Sequence, residues 1–215
     1  MNIIFFSRLA RPLFILLAIL FASNASAQNV RTIKASDVFP YWDKYIALPA
    51  ASRDGFSLQY SLTLENRAPA VAYFVYQGQK TRLMMNGNNI ITNMPYSGFA
   101  NTFVEMHGAG HGRLSLNLVP IITLANNIPI QSVQNALNDY REGIRISGAA
   151  SLIAPRFNSI LFKGVNSGYA IMPNGNRVPL VNTNDGVKYS ANMHNLRGAV
   201  ALNFPNAPNS AEFER

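Results

Sequence analysis

Between residues 105 and 113 the chain reads Glu-Met-His-Gly-Ala-Gly-His-Gly-Arg, which gathers two of its three histidines and one of its ten acidic residues. Imidazole nitrogen and carboxylate oxygen are ligands for a zinc-type ion, so Glu105, His107 and His111 are the candidate metal ligands. If Glu105 and His107 share one face of a strand, a turn can fold His111 back toward them. His194 can complete such a site from elsewhere in the chain. The segment is not the helical H-E-x-x-H of metalloproteases, because its glycines oppose a helix and the base Glu of that motif is missing. The plainer reading, and the preferred one, is a flexible turn joining two strands, with the histidines serving as polar loop residues. The same glycines offer a second chemistry. Successive backbone N–H groups can form an anion nest, to which His111 and Arg113 add positive charge as candidate ligand-binding residues. The spacing matches neither a Walker A loop nor a dinucleotide fingerprint.

Other catalytic schemes find less. There is no G-x-S-x-G elbow. Glycosidase chemistry needs two carboxylates facing a substrate, but Asp139 and Glu142 stand beside helical arginines and read as surface pairs. Asp54-Gly55 and Asp185-Gly186 read as turns, and Glu212 and Glu214 fall in the C-terminal tail. No residue is assigned as catalytic, and no cofactor is expected beyond the zinc-type ion of the alternative reading.

The chain begins with the parts of a secretory signal peptide. Arg8 and Arg11 form a basic region, Leu13 to Ala22 is an unbroken apolar run, and Ala25-Ser26-Ala27 is a small-residue cleavage site. The apolar run is shorter than the roughly 20 residues that cross a bilayer core. Residues 1–27 are therefore expected to be cleaved, which leaves no stable membrane insertion. The pattern suits a bacterial Sec substrate, with the periplasm as the expected compartment and outright secretion as the alternative. ATP- or nicotinamide-dependent work is not expected there. Cleavage lowers the formal net charge from +8 to +6. The remaining cations are scattered singly, whereas nucleic-acid binding needs them clustered, so no nucleic-acid partner is expected. Weak attraction to an anionic envelope surface follows more naturally. The chain contains no cysteine, so in an oxidising compartment its stability must come from packing.

Which elements would position these residues follows from hydrophobic periodicity. Residues 28–35 read as a flexible leader. Ser36 is the expected N-cap of a first amphipathic helix, with Val38, Tyr41, Trp42, Tyr45 and Leu48 at helical spacing and Pro40 early enough to be tolerated. An exposed part of this aromatic cluster could bind glycan rings, but the spacing favours core, with Trp42 as the anchor. From Phe56 the period changes to two. Phe56, Leu58, Tyr60, Leu62 and Leu64 alternate with polar residues in a half-buried strand. Val71 to Gln77 is apolar on both faces and suits a central strand. Strands are also expected near 81–85, 103–106 and 114–118. Ile130, Val133, Leu137, Tyr140 and Ile144 define a second amphipathic helix. Strand signals resume at 158–163, 168–172, 177–181, 187–191 and 198–204. The Asn86-Gly87 and Asn174-Gly175 turns hint at a duplicated β unit, although such turns resemble each other for physical reasons. The tail, 205–215, carries two prolines and little to bury, and is expected to be disordered.

The expected fold is a single α+β domain over 36–204, mainly antiparallel β in a sandwich-like or curved sheet, with two amphipathic helices. The expected function is non-enzymatic binding or scaffolding of an envelope component or small ligand. A metal-dependent or anion-binding hydrolase using the His107–His111 loop is the alternative, and a secreted effector or inhibitor is a third reading. Oligomeric state is left open.

Overall fold

The computed structural model describes residues 17–19, 30–64, 71–108, 112–146 and 155–215. His111 and most of residues 1–27 lie outside these residues. The architecture is mainly antiparallel β with one long helix.

The first half contributes β1 (Leu17–Ile19), β2 (Val30–Lys34), α1 (Ala35–Val38), α2 (Trp42–Ala47), β3 (Phe56–Leu64), β4 (Val71–Tyr76), β5 (Gln79–Arg82), β6 (Phe103–His107) and β7 (Gly112–Pro120). They form two sheets, ordered β1-β7-β3 and β2-β6-β4-β5. The alternation read in β3 is satisfied by β7 along its whole length, from Phe56 opposite Pro120 to Leu64 opposite Gly112. Phe56, Leu58 and Tyr60 are buried on one face. β4, apolar on both sides, occupies the interior position its sequence suggests.

Two expectations are corrected here. The leader supplies β2, paired with β6 from Val30 opposite His107 to Lys34 opposite Phe103. The first helix is split into two short ones. Proline disfavours the helical conformation in the residue before it, and Phe39 adopts φ −117° and ψ 75°. Tyr41 then turns left-handed at φ 71° before α2 begins. This break frees the Pro40 carbonyl to accept a hydrogen bond from the buried Tyr60 hydroxyl. Trp42 is buried as an anchor, and its indole N–H donates to the Pro95 carbonyl at 2.7 Å.

The second half contributes β8 (Asn127–Pro129), α3 (Ile130–Ile146), β9 (Ser159–Lys163), β10 (Tyr169–Ile171), β11 (Arg177–Pro179), β12 (Val181–Thr183), β13 (Gly186–Ser190), β14 (Ala201–Asn203) and β15 (Ser210–Glu214). Their sheets are ordered β11-β10-β14-β8 and β12-β13-β9-β15. α3 buries Ile130, Val133, Leu137 and Tyr140 of the expected stripe together with Ala136 and Gly143, and leaves Ile144 partly buried. Two glycines set how closely it approaches β3. A Cβ at Gly143 would stand 2.8 Å from a ring carbon of Phe56, and one at Gly55 would stand 2.8 Å from the Ala136 backbone. The Asn-Gly turns differ. Gly175 is left-handed at φ 81°, whereas near Gly87 the positive φ belongs to Asn89.

The tail expected to be disordered instead provides β15, which pairs with β9 from Ser210 opposite Lys163 to Glu214 opposite Ser159. Ala211 and Phe213 enter the same buried cluster as Ala35 and Val38. The apolar core thus runs without interruption from the first helix to the last strand.

Candidate functional site

Glu105, His107 and Arg113 lie on the two strands that precede and follow residues 109–111, and His194 lies elsewhere. Glu105 and His107 lie on β6, two apart, and therefore on one face of the sheet. Register extends that face into three rows. Lys34, Phe103, Val75 and Lys80 stand side by side across the four strands. Next to them run Thr32, Glu105, Tyr73 and Arg82, and then Val30, His107 and Val71. The opposite face carries Val104 and Phe74, both buried in the core.

At the centre, one oxygen of Glu105 receives two donors. Lys80 Nζ lies 2.5 Å from Oε1, and His107 Nε2 lies 2.5 Å from the same atom. The edge of Tyr73 meets the His107 ring, with centroids 5.5 Å apart. These neighbours leave the Glu105 side chain only 12% exposed, although it sits on the outer face of a sheet. The hydrogen bond from Lys80, and then that from His107, hold the Glu105 carboxyl below the usual carboxylate range.

The ionised form of Glu105 is the stabilised one, which fixes a sign. Its contribution is complete above the unfolded carboxyl pKa and is lost as pH falls through the lowered folded value. Glu105→Gln is therefore expected to reduce the gap between thermal midpoints measured at pH 7 and at about pH 3. An unchanged gap would mean that the cluster adds nothing to stability.

The sequence brought Glu105 and His107 together correctly but did not foresee Lys80. An ammonium on Oε1 competes with a metal ion for the same lone pairs. His194 lies in a short 3-10 turn at His194–Leu196, and among the described residues no three His, Asp or Glu side chains gather as a metal site. Arg113 opens β7 opposite Thr63, in the neighbouring sheet. Lys80 had only a weak signal, since its role depends on β5 lying two strands from β6.

Comparison with protein-family models, curated proteins and solved structures finds no match to the chain. Function must therefore be argued from the surface itself.

Two outward sheet faces can be compared. On β12-β13-β9-β15, Val181 is 37% exposed at the edge, but Leu161 in the same row is buried beneath charged neighbours, with Lys163 2.6 Å from Glu212 and Lys188 3.8 Å from Glu214. On β2-β6-β4-β5 the outer face leaves Val30 46% and Phe103 39% exposed. Lys34 and Arg82, at its two edges, form no ion pair among the described residues. A second acidic grouping lies elsewhere. Among the described residues Asp139 does not form the surface pair expected of it. Burial, and then the charge of Asp54, raise its carboxyl above the usual range, and the Gly55 N–H offsets part of this. Glu142 does pair as expected, with Arg145 at 2.6 Å.

Proposed function

We propose that the protein is exported, with residues 1–27 removed, and that it binds or scaffolds an envelope component without catalysing a reaction. The observation that carries this reading is the β2-β6-β4-β5 outer face, where apolar side chains stay exposed around an acid whose Oε1 already accepts from two donors within the face. A general base needs a free lone pair directed at a substrate proton, whereas a binding face needs exposed apolar area with its polar groups satisfied. Cleavage after Ala27 would remove β1, which pairs with β7 only over Gly112–Leu114, and would leave the nine-residue pairing of β3 with β7 intact.

The test combines address and surface. Protein recovered from the producing cell is expected in the periplasmic fraction with Gln28 as its first residue by mass spectrometry. Its retention on isolated envelopes is expected to fall at least about fivefold in Phe103→Glu, the scale of losing an interface contact worth about 1 kcal/mol. A chain kept in the cytoplasm with its leader would overturn the address. Retention indifferent to Phe103→Glu would overturn the binding face.

The carboxylate–imidazole contact of Glu105 and His107 favours a second reading, a metal-dependent or anion-binding hydrolase centred on the adjoining loop. Stoichiometric zinc in the same preparation, lost on His107→Ala, would replace the binding reading with this one.

A further inference from the structure

We infer that the envelope component met by the β2-β6-β4-β5 face is an anionic lipid surface; this rests on the binding reading above. Three features of the face favour lipid. Its apolar members, Val30 and Phe103, are exposed to solvent on the outer side of a sheet, which suits insertion among acyl chains better than enclosure of a small ligand. Its charge is one-sided. Lys34 and Arg82 stand unpaired among the described residues at opposite edges, while the one acid, Glu105, is neutralised within the face by Lys80. Cations on long apolar stems around exposed hydrophobic side chains match a surface of negative headgroups over hydrocarbon.

The third feature is that the face's one carboxylate is engaged within it. A carboxylate that accepts from sugar hydroxyls is a common glycan-binding group, but here Oε1 of Glu105 already accepts from Lys80 and His107. A lipid headgroup layer asks only for charge and depth. A second copy of the chain is disfavoured by the same charge, because facing copies would set Lys34 and Arg82 against like charges.

The experiment uses protein recovered from the producing cell, its first residue read by mass spectrometry. It is floated with vesicles of phosphatidylcholine alone or mixed with phosphatidylglycerol. Binding is expected only with phosphatidylglycerol present, weakening as salt is raised. It is expected to fall at least about tenfold in the double variant Lys34→Glu/Arg82→Glu, given the attraction of each cation to an anionic leaflet. Both positions are exposed, and circular dichroism verifies that the variant is folded. Phe103→Trp supplies an independent readout, because the native Trp42 is buried. Its fluorescence is expected to shift to the blue with anionic vesicles and to be quenched by brominated acyl chains.

Equal binding to both vesicle types, or binding unaffected by the charge reversals, would overturn the inference; the latter is also what an uncleaved apolar leader would produce. A blue shift of the Trp variant that follows protein concentration without vesicles would replace lipid with a second copy. Failure on vesicles with face-dependent retention on envelope polysaccharide would sink the lipid assignment and leave the binding face standing. Face variants silent in both assays would sink the two together.

Discussion

A chain ending at Phe204 is expected to lose about 10–20 °C of thermal midpoint, or to fail to accumulate as soluble protein. The lost segment places Ala211 and Phe213 in the core and pairs β15 with all five residues of β9. Removing a buried Phe costs about 3–5 kcal/mol, and at this chain length each kcal/mol moves the midpoint by about 2–4 °C. Truncation also leaves β9 as an edge strand, and Ile160, Leu161 and Phe162 are all buried. A bare, apolar edge of this kind invites pairing with other chains. Thermal denaturation followed by circular dichroism, with light scattering for aggregation, reads both effects. A soluble truncated chain whose midpoint moved by no more than about 2 °C would refute the role given to β15.

Tyr140→Ala is expected to destabilise the protein by about 3–5 kcal/mol. Tyr140 is almost fully buried on α3 and touches Phe56, Phe157 and Phe213, with ring centroids 5.8, 5.1 and 5.0 Å away. It therefore ties the long helix to β3 on one side and to the C-terminal strand on the other. Its hydroxyl donates to the Pro155 carbonyl at 2.5 Å, and burial raises the phenol pKa, so it remains a donor. Tyr140→Phe keeps the rings in place and leaves that carbonyl short of a partner, at a cost of about 1–2 kcal/mol. Urea denaturation of the two variants separates packing from hydrogen bonding. Equal losses would refute the packing role. Because Tyr140 and Phe213 are in contact, their alanine substitutions are expected to combine less than additively.

The elements legible in the sequence are those whose pattern is long enough to stand without partners. β3 repeats its alternation over nine residues, and α3 holds a stripe through four turns. β15 has only Ala211 and Phe213 facing inward, after Pro205 and Pro208, and depends on β9 and on the Lys163–Glu212 pair across the sheet. β2 turns a single large apolar residue, Ile33, toward the core. Neither strand has a pattern that survives without its neighbour. The first helix was misread for a different reason. Its apolar spacing holds across Pro40, but the restriction on the residue before proline breaks the backbone there. At the candidate site, the shared face of Glu105 and His107 follows from their spacing. Lys80 reaches it through non-local strand order, which no local pattern encodes.

The β8–β14 pairing gives this protein a clock. Asn126 and Asn203 are bonded across 77 positions of chain, and β8 gains its partner only when residues 201–203 are present. β9 waits longer still for one of its two neighbours. Closing such distant pairs is slow, because chain entropy is lost before the contacts form. The first-half sheets lie within residues 17–120, whereas the two sheets of the second half cannot be completed until the final strands have been made.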